Sequence, residues 1–157
     1  MIERPRSIII LIILWLLLAS IYIILAQYSA TLVLDIPAWQ FEGLHQDVVS
    51  MLFFGSLMST ITWFVFAGMF ILFAYGTYKA DNWIWTTGII IITTFLAVFG
   101  LMITSFIITV WLLPTNFSTQ GLSIIVILTF IDLGIIYQLT RPKIRLYFNV
   151  AGRKNSD

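Results

Sequence analysis

Cysteine is absent from this 157-residue chain, which excludes disulfides, thiol catalysis, iron–sulfur clusters and thiolate metal sites. The single histidine, His45, excludes a bis-histidine haem within one chain. Charge is scarce: 10% of residues are Asp, Glu, Lys or Arg, against about 25% in a soluble domain. The net charge of +1 leaves no global basic field for nucleic acid. No Gly-rich phosphate loop, nucleophile elbow or zinc-ligand spacing occurs, so no residue pattern supports enzyme activity or a bound cofactor.

What is abundant is apolar: 61% of the chain, with 16% aromatic. A disordered chain has the opposite balance, and a bilayer is the solvent that tolerates such a surface. A spanning helix needs about 20 predominantly apolar residues. Four runs meet that need, at about 7–26, 48–78, 83–113 and 121–140. Outer-membrane strands would alternate over about ten residues, whereas these runs are continuous. The expected fold is therefore all-α: one polytopic domain over 1–150, four transmembrane helices in a bundle, and a disordered tail at 152–157. The first run follows Arg4 and Arg6 as a signal peptide would. It is longer than the roughly 7–15 residues of a signal h-region, and Tyr28 occupies the minus-three position of the nearest cleavage site, after Ala30. It reads as an uncleaved anchor.

Positive charge sets topology. Four spans place the N-terminus, the turn between spans two and three, and the C-terminal tail on one side. That side holds Arg4, Arg6, Lys79, Arg141, Lys143, Arg145, Arg153 and Lys154, which are all eight Lys and Arg residues. The opposite loops hold none, and the first carries Asp35, Glu42 and Asp47. Both termini are expected in the cytoplasm, with the chain in the cell membrane. Trp83 and Trp85 at the inner turn, and Trp39, Phe41, Trp111 and Phe117 at the outer loops, fit the aromatic belts of a bilayer interface.

Between helices in lipid, small residues that permit close approach matter most. Span two carries Gly55 and Ser59, then Ala67 and Gly68; span three carries Thr93, Ala97, Gly100 and Thr104. The two spans are expected to pack as an antiparallel hairpin around these faces. The tail begins at Arg141-Pro142, and Ile144, Tyr147, Phe148 and Ala151 follow helical spacing. This predicts an amphipathic helix over 142–151 lying on the inner leaflet, with Arg141, Lys143 and Arg145 near anionic headgroups.

One acid stands inside a span. Asp132 lies roughly 12 Å of helix rise from the inner end of span four. A carboxylate there is by default a functional hypothesis: it could bind a proton or ion, or it could hold span four to Ser59, Thr60, Thr93 or Thr94 by hydrogen bonds. No second charged group lies inside any span to extend a relay, and no broken helix or repeat signals a transporter site. In the first outer loop, Glu42 and His45 have the Glu-x-x-His spacing of two metal ligands on one helical face. Asp47 could complete the set, or instead cap span two. Asn116-Phe-Ser118 matches a glycosylation acceptor in a short outer loop.

Two segments carry a family likeness. Gly76, Lys79 and Trp83 form a Gly-x-x-Lys-x-x-x-Trp turn between spans two and three. Leu139, Arg141, Pro142, Arg145, Tyr147 and Phe148 end span four as Leu-x-Arg-Pro-x-x-(Lys/Arg)-x-(Tyr/Phe)-(Phe/Leu). Over this C-terminal half the chain resembles a group of small four-helix integral membrane proteins of unknown function, mostly archaeal. The resemblance implies architecture and an archaeal source, and it carries no activity. The functional expectation is a non-catalytic structural or accessory subunit whose partners are the lipid bilayer and other membrane subunits or further copies of itself. The alternative is a small oligomeric transporter or ion-conducting protein using Asp132.

Overall fold

A computed structural model describes residues 6–34, 46–112 and 119–154. They form five helices: α1 (Arg6–Leu34), α2 (Gln46–Lys79), α3 (Asn82–Leu112), α4 (Thr119–Leu139) and α5 (Pro142–Lys154). The fold is all-α. The first four helices contain apolar, charge-poor stretches long enough to cross a bilayer, the shortest being the 18 residues Leu122–Leu139, which include Asp132. α1 continues eight residues past its expected end, because Gln27, Tyr28, Ser29 and Thr31 are helical rather than loop. α5 also runs on, through Gly152 to Lys154.

The described chain divides into two compact units, one formed by residues 1–15 and 73–157 and the other by residues 16–72. In the second unit, α1 and α2 run antiparallel. Tyr22 is fully buried, stacked on Phe70 at 5.3 Å and flanked by Trp63 and Phe66 at 5.5 and 5.7 Å. Further along, the Ser56 hydroxyl donates to the Ser29 carbonyl at 2.6 Å, and the Ser29 hydroxyl donates back to the Ser56 carbonyl at 3.5 Å. Small side chains let the two backbones approach closely enough for these bonds, which in lipid have no water to compete with them.

In the first unit, α3 packs along α4, and α5 packs on both. The beginning of α1 joins them. Its Trp15 ring lies 5.0 Å from Phe73 and touches the position of Gly88, while Leu14 lies against Gly134. The turn between α2 and α3 is the tightest element. Asp81 N–H donates to the Gly76 carbonyl at 3.0 Å and Ala80 N–H to the Thr77 carbonyl at 3.2 Å. This paired closure of a helix end is a Schellman motif. It requires a left-handed residue just past the helix, and Ala80 takes that conformation with φ of 62°. Gly76 is needed for a different reason: a Cβ there would lie 2.5 Å from two carbons of Ile84 as α3 departs.

α4 ends one residue before Thr140, and the chain turns at Arg141. The Arg141 carbonyl accepts from the amides of Ile144 and Arg145, so Arg141 caps α5 and Pro142 takes its first position. Proline suits that position, because its fixed φ is helical and the amide it lacks would have had no partner.

Candidate functional site

Asp132 belongs to the buried stripe of α4 formed by Leu128, Asp132, Ile135 and Leu139. Spacings of four, three and four residues keep these side chains on one helical face. Asp132 is 1% exposed, and its Oδ2 has no hydrogen-bond partner among the described residues. Burying a carboxyl group without a partner is costly, which singles it out within an otherwise uncharged helix. The threonines expected to hold it are engaged elsewhere. Thr94 donates to the Ile90 carbonyl at 2.9 Å and Thr60 to the Ser56 carbonyl at 2.9 Å, each within its own helix. Thr93 is exposed, and no hydrogen bond joins Ser59 to Asp132 among the described residues. Thr77 Oγ1 and Gln138 Oε1 are also buried without partners among the described residues. Sequence reasoning passed over both. Gln138 carried a visible signal, an amide next to the last residue of a span.

The start of α3, the end of α4 and the start of α5 form the second cluster. Trp85, in the first turn of α3, donates its indole N–H to the Leu139 carbonyl at 2.9 Å. That carbonyl is at the C-terminus of α4, where intrahelical donors run out. The Arg145 guanidinium lies 5.4 Å above the same indole ring. Arg141 lies 4.6 Å above the Tyr137 ring and donates from Nη2 to the Tyr137 hydroxyl at 2.9 Å. Ile144 and Phe148 are wholly buried, Tyr147 is partly buried and Leu146 faces outward. Ile144 and Phe148 of α5 thus rest on protein, with α3 and α4 packed against the helix. Lys143 is exposed, and Arg141 is partly exposed.

The glycines sort differently from the expected packing faces. A Cβ at Gly55, Gly68 or Gly100 would meet nothing within 4 Å. Thr93 and Ala97 are exposed, Ser59 is partly so, and Ala67 is buried. The close approaches occur instead at Gly76, Gly88 and Gly134. Next to the turn between α2 and α3, Phe73 lies against Trp83 at 5.9 Å. Glu42, His45 and Asn116–Ser118 lie outside the described residues. Asp47 is the second residue of α2 rather than the residue before it.

Set against protein-family descriptions, curated proteins and solved structures, the chain matches none.

Proposed function

We propose that this chain is a non-catalytic structural or accessory subunit of a larger membrane assembly, with both termini in the cytoplasm. The observation that supports it is the open space at Gly55, Gly68 and Gly100. In lipid, a glycine face permits another helix to approach the backbone closely, and among the described residues nothing lies within 4 Å of a Cβ at these three. Around them stand exposed Phe54, Met58, Val65 and Leu101. The complete Lys and Arg asymmetry supports the orientation, and the resemblance to small four-helix archaeal membrane proteins is in keeping with the architecture. The test is mild detergent extraction from the source membrane, followed by native sizing and identification of co-purified chains. Reproducible partners that are lost in Gly55→Leu or Gly100→Leu, with the isolated chain still folded, are the expected result. Full recovery of partners with both variants refutes the assignment of these faces.

A second reading rests on a separate observation, the buried Asp132, whose Oδ2 has no hydrogen-bond partner among the described residues. A single four-helix chain is too thin to enclose a polar path, so an ion- or proton-conducting protein of this kind would be oligomeric. Flux through liposomes that is abolished by Asp132→Asn, with assembly intact, is its signature. Equal flux in the variant eliminates it.

A further inference from the structure

Arg141 caps α5 and Arg145 stands in its first turn, where the Arg141 carbonyl accepts from the amide of Arg145. Neither makes an ion pair among the described residues. Each guanidinium is instead positioned over an aromatic ring, Arg141 over Tyr137 at 4.6 Å and Arg145 over Trp85 at 5.4 Å. The Trp85 ring is itself fixed by its bond to the Leu139 carbonyl. The helix that carries the arginines is fixed by buried Ile144 and Phe148. A ring contact uses the guanidinium face and leaves its N–H edge for acceptors, and among the described residues one of the five N–H groups of Arg141 is occupied, by Tyr137. Two pre-oriented forks with free edges match the oxygens of a phosphate group.

The location selects the source of that phosphate. The pair sits at the junction where the apolar α4 ends and the polar α5 begins, flanked by Trp and Tyr rings of the kind that settle at headgroup level. We propose that Arg141 and Arg145 form a binding site for the phosphate of an anionic phospholipid in the leaflet that α5 faces, a site independent of the subunit and conduction readings above. It differs from general attraction of a basic tail to a membrane, because the contact depends on two particular guanidinium groups and their rings.

The experiment is native mass spectrometry of the full-length chain in detergent, titrated with phosphatidylglycerol or phosphatidylcholine. The wild-type chain is expected to retain phosphatidylglycerol in preference. Arg141→Gln with Arg145→Gln is expected to weaken that retention about thirty-fold, two basic residues' worth of attraction, and to leave phosphatidylcholine unchanged. Arg153→Gln with Lys154→Gln removes the same charge from the end of the chain and is expected to retain the lipid. An equal loss in that control overturns the site in favour of bulk charge, and unchanged retention in the Arg141/Arg145 variant overturns it outright. Millimolar inorganic phosphate that displaces the lipid overturns the lipid assignment in favour of a free anion. Where the glutamine pair fails to fold, Arg141→Lys with Arg145→Lys keeps the charge and loses the forks. Weaker retention in that variant supports the site, and wild-type retention overturns it.

Discussion

Substituting alanine for glycine should have opposite consequences at two kinds of site in this protein, and the structure says which is which. At Gly76 the added Cβ would stand 2.5 Å from both Cγ1 and Cδ1 of Ile84, where carbon atoms prefer about 3.5–4.0 Å. Ile84 is fully buried, so it has nowhere open to rotate. Forced overpacking of this kind costs about 1–3 kcal/mol. The gain in helix propensity from glycine to alanine offsets up to about 1 kcal/mol of that. Gly76→Ala should therefore be destabilised by about 1–2 kcal/mol. Gly100→Ala has the same propensity gain and meets no atom within 4 Å, so it should be neutral or stabilised by up to about 1 kcal/mol. The propensity gain is common to both variants, so they differ by the overpacking cost of about 1–3 kcal/mol, and at about 2–4 °C per kcal/mol for a chain of this size they should melt about 2–12 °C apart. Circular dichroism of the purified proteins in one detergent measures this. Trimming the partner with Ile84→Val should cost less in the Gly76→Ala background than in the wild type, the non-additivity expected of groups in contact. A Gly76→Ala protein that melts with or above Gly100→Ala would refute the account of the turn.

Two other contacts are open to the same treatment. Ser56→Ala removes the 2.6 Å bond to the Ser29 carbonyl and should cost about 0.6 kcal/mol, the average for interhelical bonds in a membrane protein; titration with a denaturing detergent reads the loss, and a cost above about 2 kcal/mol would mean that packing rather than this bond dominates there. Trp85→Phe removes the indole donor from the Leu139 carbonyl and should cost about 1 kcal/mol while loosening α5, so limited proteolysis should cut within α5 sooner than in the wild type. An unchanged cleavage rate would show that buried Ile144 and Phe148 hold α5 without the tryptophan.

Why the spans were legible and their faces were not follows from the solvent. A bilayer demands length and apolarity of any helix that crosses it, so four long apolar runs announce four helices. Which face turns inward is another matter, because lipid and protein interior are both apolar and hydrophobicity cannot distinguish them. α1 illustrates this. Its buried stripe is Ile8, Leu11, Trp15, Leu18, Tyr22, Ala26 and Ser29, at spacings of three or four residues, in a helix that is apolar all round. The signal that was available is compositional: Trp15, Tyr22, Ala26 and Ser29 interrupt a run of Ile and Leu at helical spacing. Ser29 was read as part of a loop because it is polar, and it is polar because it bonds to Ser56. The glycines show the same limit. Gly55 and Gly100 were conspicuous by their four-residue spacing to Ser59 and Thr104, yet spacing describes a face and says nothing of what stands opposite. Gly76, Gly88 and Gly134 matter for what stands opposite them, namely Ile84, Trp15 with Leu139, and Leu14.

α5 carries this reasoning to the functional cluster. Beside a membrane, an amphipathic helix has two apolar phases within reach, and its sequence is the same whichever it chooses. Ile144 and Phe148 are taken up by protein, so the greasy side of α5 contributes little to holding lipid, apart from the outward Leu146. What α5 offers the leaflet is chiefly its polar side, and the described part of that side includes Arg141, Lys143 and Arg145. Attraction through charge weakens with salt, whereas attraction through buried apolar area does not weaken in that way. The same burial that withdraws the apolar face from the bilayer also fixes the helix against α3, and that is what holds Arg145 over Trp85. A tail free to lie on lipid would present the same charges without a fixed geometry. Docked on protein, it presents two guanidinium groups at set positions, which makes discrimination between headgroups physically available to this chain.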